Sequence, residues 1–178
     1  LNDYELRSFF SLLFPAGAET TTRSISGGML ALLEHPEQWR RLRSSPQLIK
    51  TAVEEVVRWT PPSVYKRRTA TTTVEFCGLT IHESHKVTFW EMSANRDEAV
   101  FNHPFKFDLA RSPNRHIGFG AGVHFCLGAA LARLELKIVL QELARASINF
   151  ELTDTPQWVP NNRLVGISKL PVKALPAK

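Results

Sequence analysis

The sequence predicts a mainly α fold with small β-sheets. Apolar residues recur at helical spacing near both ends of the chain, and residues 64–90 alternate apolar and polar between turn signals. Residues 91–125 show little regular pattern and are rich in Asn, Pro, Phe and Gly, which marks a long ordered loop of the kind that usually carries function.

The first helix is expected over residues 3–33. Leu6, Phe9, Phe10, Leu13 and Phe14 set its stripe, and Asp3 is the expected N-cap. Pro15 removes a backbone donor, and the run Gly17-Ala18-Glu19-Thr20-Thr21 is weak in helix propensity, so a disturbance is expected there. His35-Pro36 ends this element, and a short helix is expected over residues 37–42. Ser45-Pro46 then places a cap before a proline, opening a helix that runs to Trp59 with Ile49, Val53, Val56 and Val57 as its stripe. Pro61-Pro62 stops it. Val74, Phe76, Leu79, Ile81, Val87 and Phe89 mark strands, with turns at Gly78 and at residues 83–85. The last long helix is expected from Cys126 to Ala146, with Leu127, Leu131, Leu134 and Ile138 on one face, joined by Leu140 and Leu143. Short strands follow from Asn149, one of them over residues 165–170. No internal repeat or low-complexity linker interrupts residues 1–178, which read as one unit.

The 178 residues suffice for one domain or for part of a larger one. The chain opens at Leu1 already in a helical pattern, so a longer protein is expected. The net charge of +5 is dispersed, with only short basic groups such as Lys66-Arg67-Arg68, so no nucleic-acid surface is expected. No apolar run is long enough for a membrane span, and no basic segment precedes an apolar one as in a leader. Cys77 and Cys126 lack the paired spacing of a structural zinc site, and isolated cysteines suit a reducing, cytoplasmic setting.

The segment Phe119-Gly120-Ala121-Gly122-Val123-His124-Phe125-Cys126-Leu127-Gly128 carries the most chemistry. Glycines let backbone approach a ligand closely, and a cysteine at the start of a helix gains from the free N–H groups there. One soft ligand among glycines and aromatics suits haem iron better than zinc, which takes about four protein ligands. A buried structural cysteine is the plainer reading of a lone Cys, but the whole pattern disfavours it. Glu19 and Thr20 pair a carboxylate with a hydroxyl and fit a proton relay, or an ordinary polar helix face. Glu55 and Arg58 stand at i and i+3 and fit a buried pair or a solvated one; Glu54 is expected at the surface. Arg68 and His124 are candidates to hold an anionic cofactor edge. His82, His85 and His116 are expected to be surface or structural residues, and Asn95-Arg96-Asp97 a structural hydrogen-bond cluster.

Together these motifs resemble the C-terminal half of a cytochrome P450 of the soluble bacterial, actinobacterial-like kind. Phe119, Gly120, Gly122, His124, Cys126 and Gly128 match the family's haem-binding signature. Ala16-Gly17-Ala18-Glu19-Thr20-Thr21 matches its central helix, Glu55 and Arg58 its Glu-x-x-Arg pair, and residues 94–111 its meander. The resemblance implies the C-terminal portion of the P450 fold, with Cys126 as thiolate ligand of haem b. It implies Glu19 and Thr20 as the proton-delivery pair and Ala16 and Gly17 at the border of haem and oxygen. It also implies Arg68 and His124 at the propionates, Phe119, Gly120 and Gly128 in the cofactor loop, and Glu55 and Arg58 as structural supports. Residues 63–65 and the turn near Val165 resemble substrate-contact segments. The implied activity is monooxygenation of a hydrophobic small molecule, with a sterol or branched lipid as the expected class. Electrons would come from a ferredoxin-type partner and its reductase, docking near Arg115, Arg133 and Lys137. Complete members are much longer, so a truncated, non-catalytic haem-thiolate module is the alternative expectation.

Overall fold

The computed structural model describes residues 1–146 and 148–176. Five α-helices and four two-stranded antiparallel sheets are present among them. Helix α1 spans Asp3–Glu34, α2 Pro36–Ser44, α3 Ile49–Trp59, α4 Glu91–Ala94 and α5 Ala129–Arg145. Strands β1 (Tyr65–Thr69) and β4 (Lys86–Trp90) enclose the hairpin of β2 (Val74–Phe76) and β3 (Leu79–Ile81). Near the C-terminus β5 (Ile148–Leu152) pairs with β8 (Val172–Pro176), and β6 (Gln157–Trp158) with β7 (Ile167–Lys169).

Helix α1 departs from expectation at its start and in its middle. The cap is Asn2, not Asp3: the Asn2 side chain accepts from the Glu5 amide, and the Glu5 carboxylate accepts from the Asn2 amide. This reciprocal arrangement satisfies two donors, which an Asp3 cap would not match in register. The helix also runs unbroken past Pro15. Residues 1–19 are exposed, so water can solvate the carbonyl that Pro15 leaves without a donor.

The core lies where α1, α2, α3 and α5 meet, built on Leu32, Leu42, Val53, Val56, Phe107 and Leu136. The stripe expected on α3 is buried there. Glycine decides how closely α1 approaches α3. A Cβ on Gly28 would sit 2.8 Å from Val56 Cγ1, and one on Gly27 2.8 Å from Thr60 Cβ. Most of the face expected on α5 is exposed, including Leu131 (59%) and Ile138 (49%); Leu140, which joins it, is buried together with Ala129 and Leu136. Periodicity finds an apolar face but not its partner. No helix among the described residues is long and apolar enough to cross a membrane.

Candidate functional site

Helix α3 presents two consecutive carboxylates in different directions. Glu55 and Arg58 are fully buried and joined by two hydrogen bonds, Nε to Oε2 at 2.7 Å and Nη2 to Oε1 at 2.8 Å. Arg58 also donates to the carbonyls of Asn95, Pro104 and Lys106. Glu55 accepts from the Asp108 amide, Arg111 and Asn114. The buried alternative for this pair therefore holds, and the pair organises the irregular segment that follows α4. Asn95 belongs to the same network: its Nδ2 donates to the Arg58 carbonyl and its Oδ1 accepts from the Ile117 amide.

Glu54 is not the surface residue expected. Its side chain is 26% exposed and takes the Arg133 fork from α5, with Nε at 2.7 Å and Nη2 at 2.9 Å. His116 Nε2 lies 3.0 Å from the same carboxylate. The Gly118 amide can only donate, so His116 Nδ1 accepts from it and Nε2 carries the proton to Glu54. Burial alone would push the Glu54 carboxyl up; the hydrogen bonds from His116 and Arg133 outweigh it and hold its pKa at about 2. Arg133 lies 4.5 Å over the Phe119 ring centroid, and the His116 ring centroid is 5.9 Å from it. Local spacing could not reveal this cluster, because its members come from three separate segments.

Phe119 opens the turn that ends at Cys126. The Cys126 amide donates to the Phe119 carbonyl at 2.8 Å, closing the loop. Gly120 has φ +74, and a Cβ there would lie 3.1 Å from the His124 carbonyl oxygen, so the turn needs glycine at this point. Cys126 does not open the helix as expected. A short helical turn spans Gly122–His124, and α5 begins only at Ala129, with Gly128 at its N-cap. The Cys126 carbonyl accepts from the Ala129 amide, so the residue sits in the approach to the helix. The cysteine is exposed, and Val123, Phe125, Leu127 and Leu131 around it in sequence are exposed apolar residues. Phe125 is 52% exposed in this chain.

Ala16, Gly17, Glu19 and Thr20 lie on α1, and a Cβ on Gly17 would meet no atom within 4 Å. Thr20 Oγ1 donates to the Ala16 carbonyl at 2.7 Å. Glu19 is ion-paired with Arg23, a residue sequence reasoning passed over; Arg23 Nη1 reaches the Leu164 carbonyl at 3.4 Å. Gly166 leaves room for that guanidinium. The two segments resembling substrate contacts meet: the Val64 amide donates to the Arg163 carbonyl, and the Val165 amide to that of Pro62. Beneath them Glu91 is fully buried, with Lys66 Nζ 3.2 Å from Oε1. Burial pushes the Glu91 carboxyl up, and Lys66 offsets only part of this. Among the described residues Arg68 donates only to the Arg67 carbonyl, and His124 is exposed. Among the described residues no hydrogen bond or ion pair joins Glu19 or Thr20 to the Cys126 turn.

The donor chemistry fits a large, mostly apolar group held by one soft ligand. No cluster of His, Cys, Asp or Glu among the described residues could complete a multi-ligand metal centre. A lone thiol on an apolar surface, approached through glycines, suits haem.

A sequence model of the family described as Cytochrome P450 matches residues 43–175. The chain is 51% identical over 173 residues to putative cytochrome P450 126 of Mycobacterium tuberculosis, covering 97% of this chain and 42% of the relative. It is 48% identical over 174 residues to the methyl-branched lipid omega-hydroxylase of Mycobacterium bovis, covering 97% of this chain and 41% of that protein. Its fold superposes on cytochrome P450 CYP109B1 from Bacillus subtilis with a TM-score of 0.92 at 43% identity, covering 97% of this chain and 47% of the other. The chain thus spans less than half the length of these relatives. Because the family match runs from α2 to β8 and takes in both the Cys126 turn and the buried Glu55–Arg58 pair, the chain belongs to the cytochrome P450 family.

Proposed function

We propose that this chain forms the proximal and lower distal part of a haem-thiolate monooxygenase acting on a hydrophobic, lipid-like substrate. The observation that carries the reading is the exposed thiol of Cys126, presented, unlike the exposed Cys77, by a glycine-dependent turn among exposed apolar residues. Members of the family bind haem b, and Cys126 is the residue here that would ligate its iron. Arg68 and His124 would neutralise its carboxylates, and Ala16 and Gly17 would leave space beside it. When bound, the haem supplies oxygen activation and C–H oxidation.

The chain's own groups then have defined tasks. Thr20 offers a hydroxyl that can turn from the Ala16 carbonyl to a proton acceptor in the pocket, and Glu19 can resupply it. Residues 63–65 and the turn at Val165, already bonded to each other, would contact substrate together. A lipid-like substrate is favoured by the relative named a methyl-branched lipid omega-hydroxylase. A ferredoxin-type partner, working with its reductase in the cytoplasm, fits the net charge of +5. Arg133 is a weak docking contact, because Glu54 already holds it; Arg115 and Lys137 are better ones.

The test is the reduced-CO difference spectrum of the haem-loaded protein and its Cys126→Ser variant. The wild type should show the red-shifted thiolate-type Soret band, and the variant should lack it. A band unchanged by the substitution overturns the assignment. A thiolate band with no product under turnover would leave a haem-thiolate module without catalysis.

A further inference from the structure

The Cys126 turn has little to hold it in place. Glycines at 120 and 122 lower its stiffness, and residues 121–128 are exposed, so burial does not fix it. Among the described residues, the hydrogen bond from the Cys126 amide to the Phe119 carbonyl ties the cysteine back to the start of the turn, beside shorter links from the Phe125 amide to the Gly122 carbonyl and from the Ala129 amide to the Cys126 carbonyl. Whatever immobilises Phe119 therefore helps to set the position of the sulfur.

The Phe119 ring is held by two side chains. Arg133 lies over the ring at 4.5 Å from its centroid, and the His116 ring centroid is 5.9 Å away. Both are tied to one carboxylate, that of Glu54, which stands on the best-packed helix of the core. The His116 side chain is 3% exposed, with Nε2 3.0 Å from the Glu54 carboxylate and Nδ1 3.2 Å from the Gly118 amide nitrogen. The guanidinium of Arg133 is held charged chiefly by its hydrogen bond to Glu54.

We propose that Glu54, Arg133 and His116 are positioning residues that hold Phe119 and, through its carbonyl, fix the Cys126 amide and sulfur for haem ligation. The inference rests on the haem-thiolate reading above and deepens it. Groups that orient a metal ligand without touching the metal tune its donation and the affinity of the site. Glu54 has a second effect: it neutralises a cation close to the thiolate turn. Removing the carboxylate leaves that cation uncompensated and favours the reduced haem. Removing Arg133 leaves the carboxylate uncompensated and has the opposite effect.

The experiment uses the haem-loaded protein and the variants Glu54→Gln, Arg133→Gln and Phe119→Leu. Glu142→Gln serves as the control, since it breaks an exposed ion pair with Arg145. Three quantities are read: the rate of haem transfer to an apo-globin acceptor, the haem reduction potential and the thermal midpoint. Haem loss should accelerate about tenfold in the three variants at temperatures well below their midpoints, with the control unchanged. The potential should move up in Glu54→Gln and down in Arg133→Gln, a pair of signs that general loosening does not produce. If the charge variants fail to fold, Phe119→Leu decides: it keeps the Glu54–Arg133 pair and should still release haem faster. Haem loss at the wild-type rate in Phe119→Leu, or potentials equal to wild type in both charge variants, overturns the proposal. A wild-type protein without a thiolate-type CO band would instead refute the haem-thiolate reading itself.

Discussion

Arg58 meets Glu55 with both side chains removed from solvent, and the guanidinium completes its contacts on the carbonyls of Asn95, Pro104 and Lys106. One residue thereby joins α3 to an irregular segment that has almost no backbone ladder of its own. Arg58→Ala removes the fork and leaves the buried Glu55 carboxylate with Arg111 as its remaining ion-pair partner. The expected loss of stability is about 3–5 kcal/mol, read from urea unfolding midpoints. Arg58→Lys should recover only a minor part, since a point charge cannot serve five acceptors in a plane. Near-wild-type stability in Arg58→Ala would show that the network is not what orders residues 95–111.

Gly28→Ala sets two effects against each other. Alanine favours a helix over glycine by about 1 kcal/mol. The new methyl carbon would lie 2.8 Å from Val56 Cγ1 in the core, where Val56 is 1% exposed and β-branched. Overpacking of this kind costs roughly 1–3 kcal/mol, so a net fall in the thermal midpoint is expected. A rise would mean that α1 and α3 can move apart freely.

Glu54 gives the fold an acid-sensitive limb. Its pKa falls from 4.5 to about 2 on folding, so its contribution is complete above 4.5 and is lost as pH drops towards 2. The Glu54→Gln variant should show a flatter stability profile across that window. Identical slopes for variant and wild type would remove Glu54 from the account.

Glu91 works the other way. Burial raises its pKa, so the folded state binds a proton more readily than the unfolded chain, and stability declines as pH rises above 4.5 through the folded value. Replacing it by glutamine removes a buried charge whose partner, Lys66, is 41% exposed. The Glu91→Gln protein should therefore melt higher than wild type at neutral pH, as followed by circular dichroism. A lower midpoint would mean that the Lys66 pair outweighs desolvation.

Thr20→Ala tests the proposed relay. Oxygen and electron consumption should continue while product per O2 consumed falls by about tenfold or more. Equal coupling in both proteins would make the Thr20 bond to Ala16 a helix detail only.

Much of this organisation is legible in the sequence because it is local. The i, i+3 spacing of Glu55 and Arg58, the stripe on α3 and the glycines before Cys126 each operate within a few residues. What escapes lies between distant segments. Nothing near Glu54 announces Arg133, and nothing near Gly28 announces Val56; only the approach of α3 to α5 and α1 creates those contacts. The α5 face misleads for the same reason, since Leu131 and Ile138 have apolar spacing but remain about half exposed. The late start of α5 at Ala129 follows from the turn closed by Cys126 on Phe119, a constraint that periodicity does not contain.

The adjacency of Glu54 and Glu55 has a consequence for how such a chain can vary. One carboxylate serves the meander and the other the cysteine turn, and their directions differ because successive helical residues are rotated by about 100°. Inserting or deleting one residue earlier in α3 would turn both carboxylates away from their targets at once. Point replacements in this helix can be absorbed singly and compensated at leisure. A change in its length would have to arrive together with matching changes in two remote loops, which leaves α3 free in much of its lettering but fixed in its count.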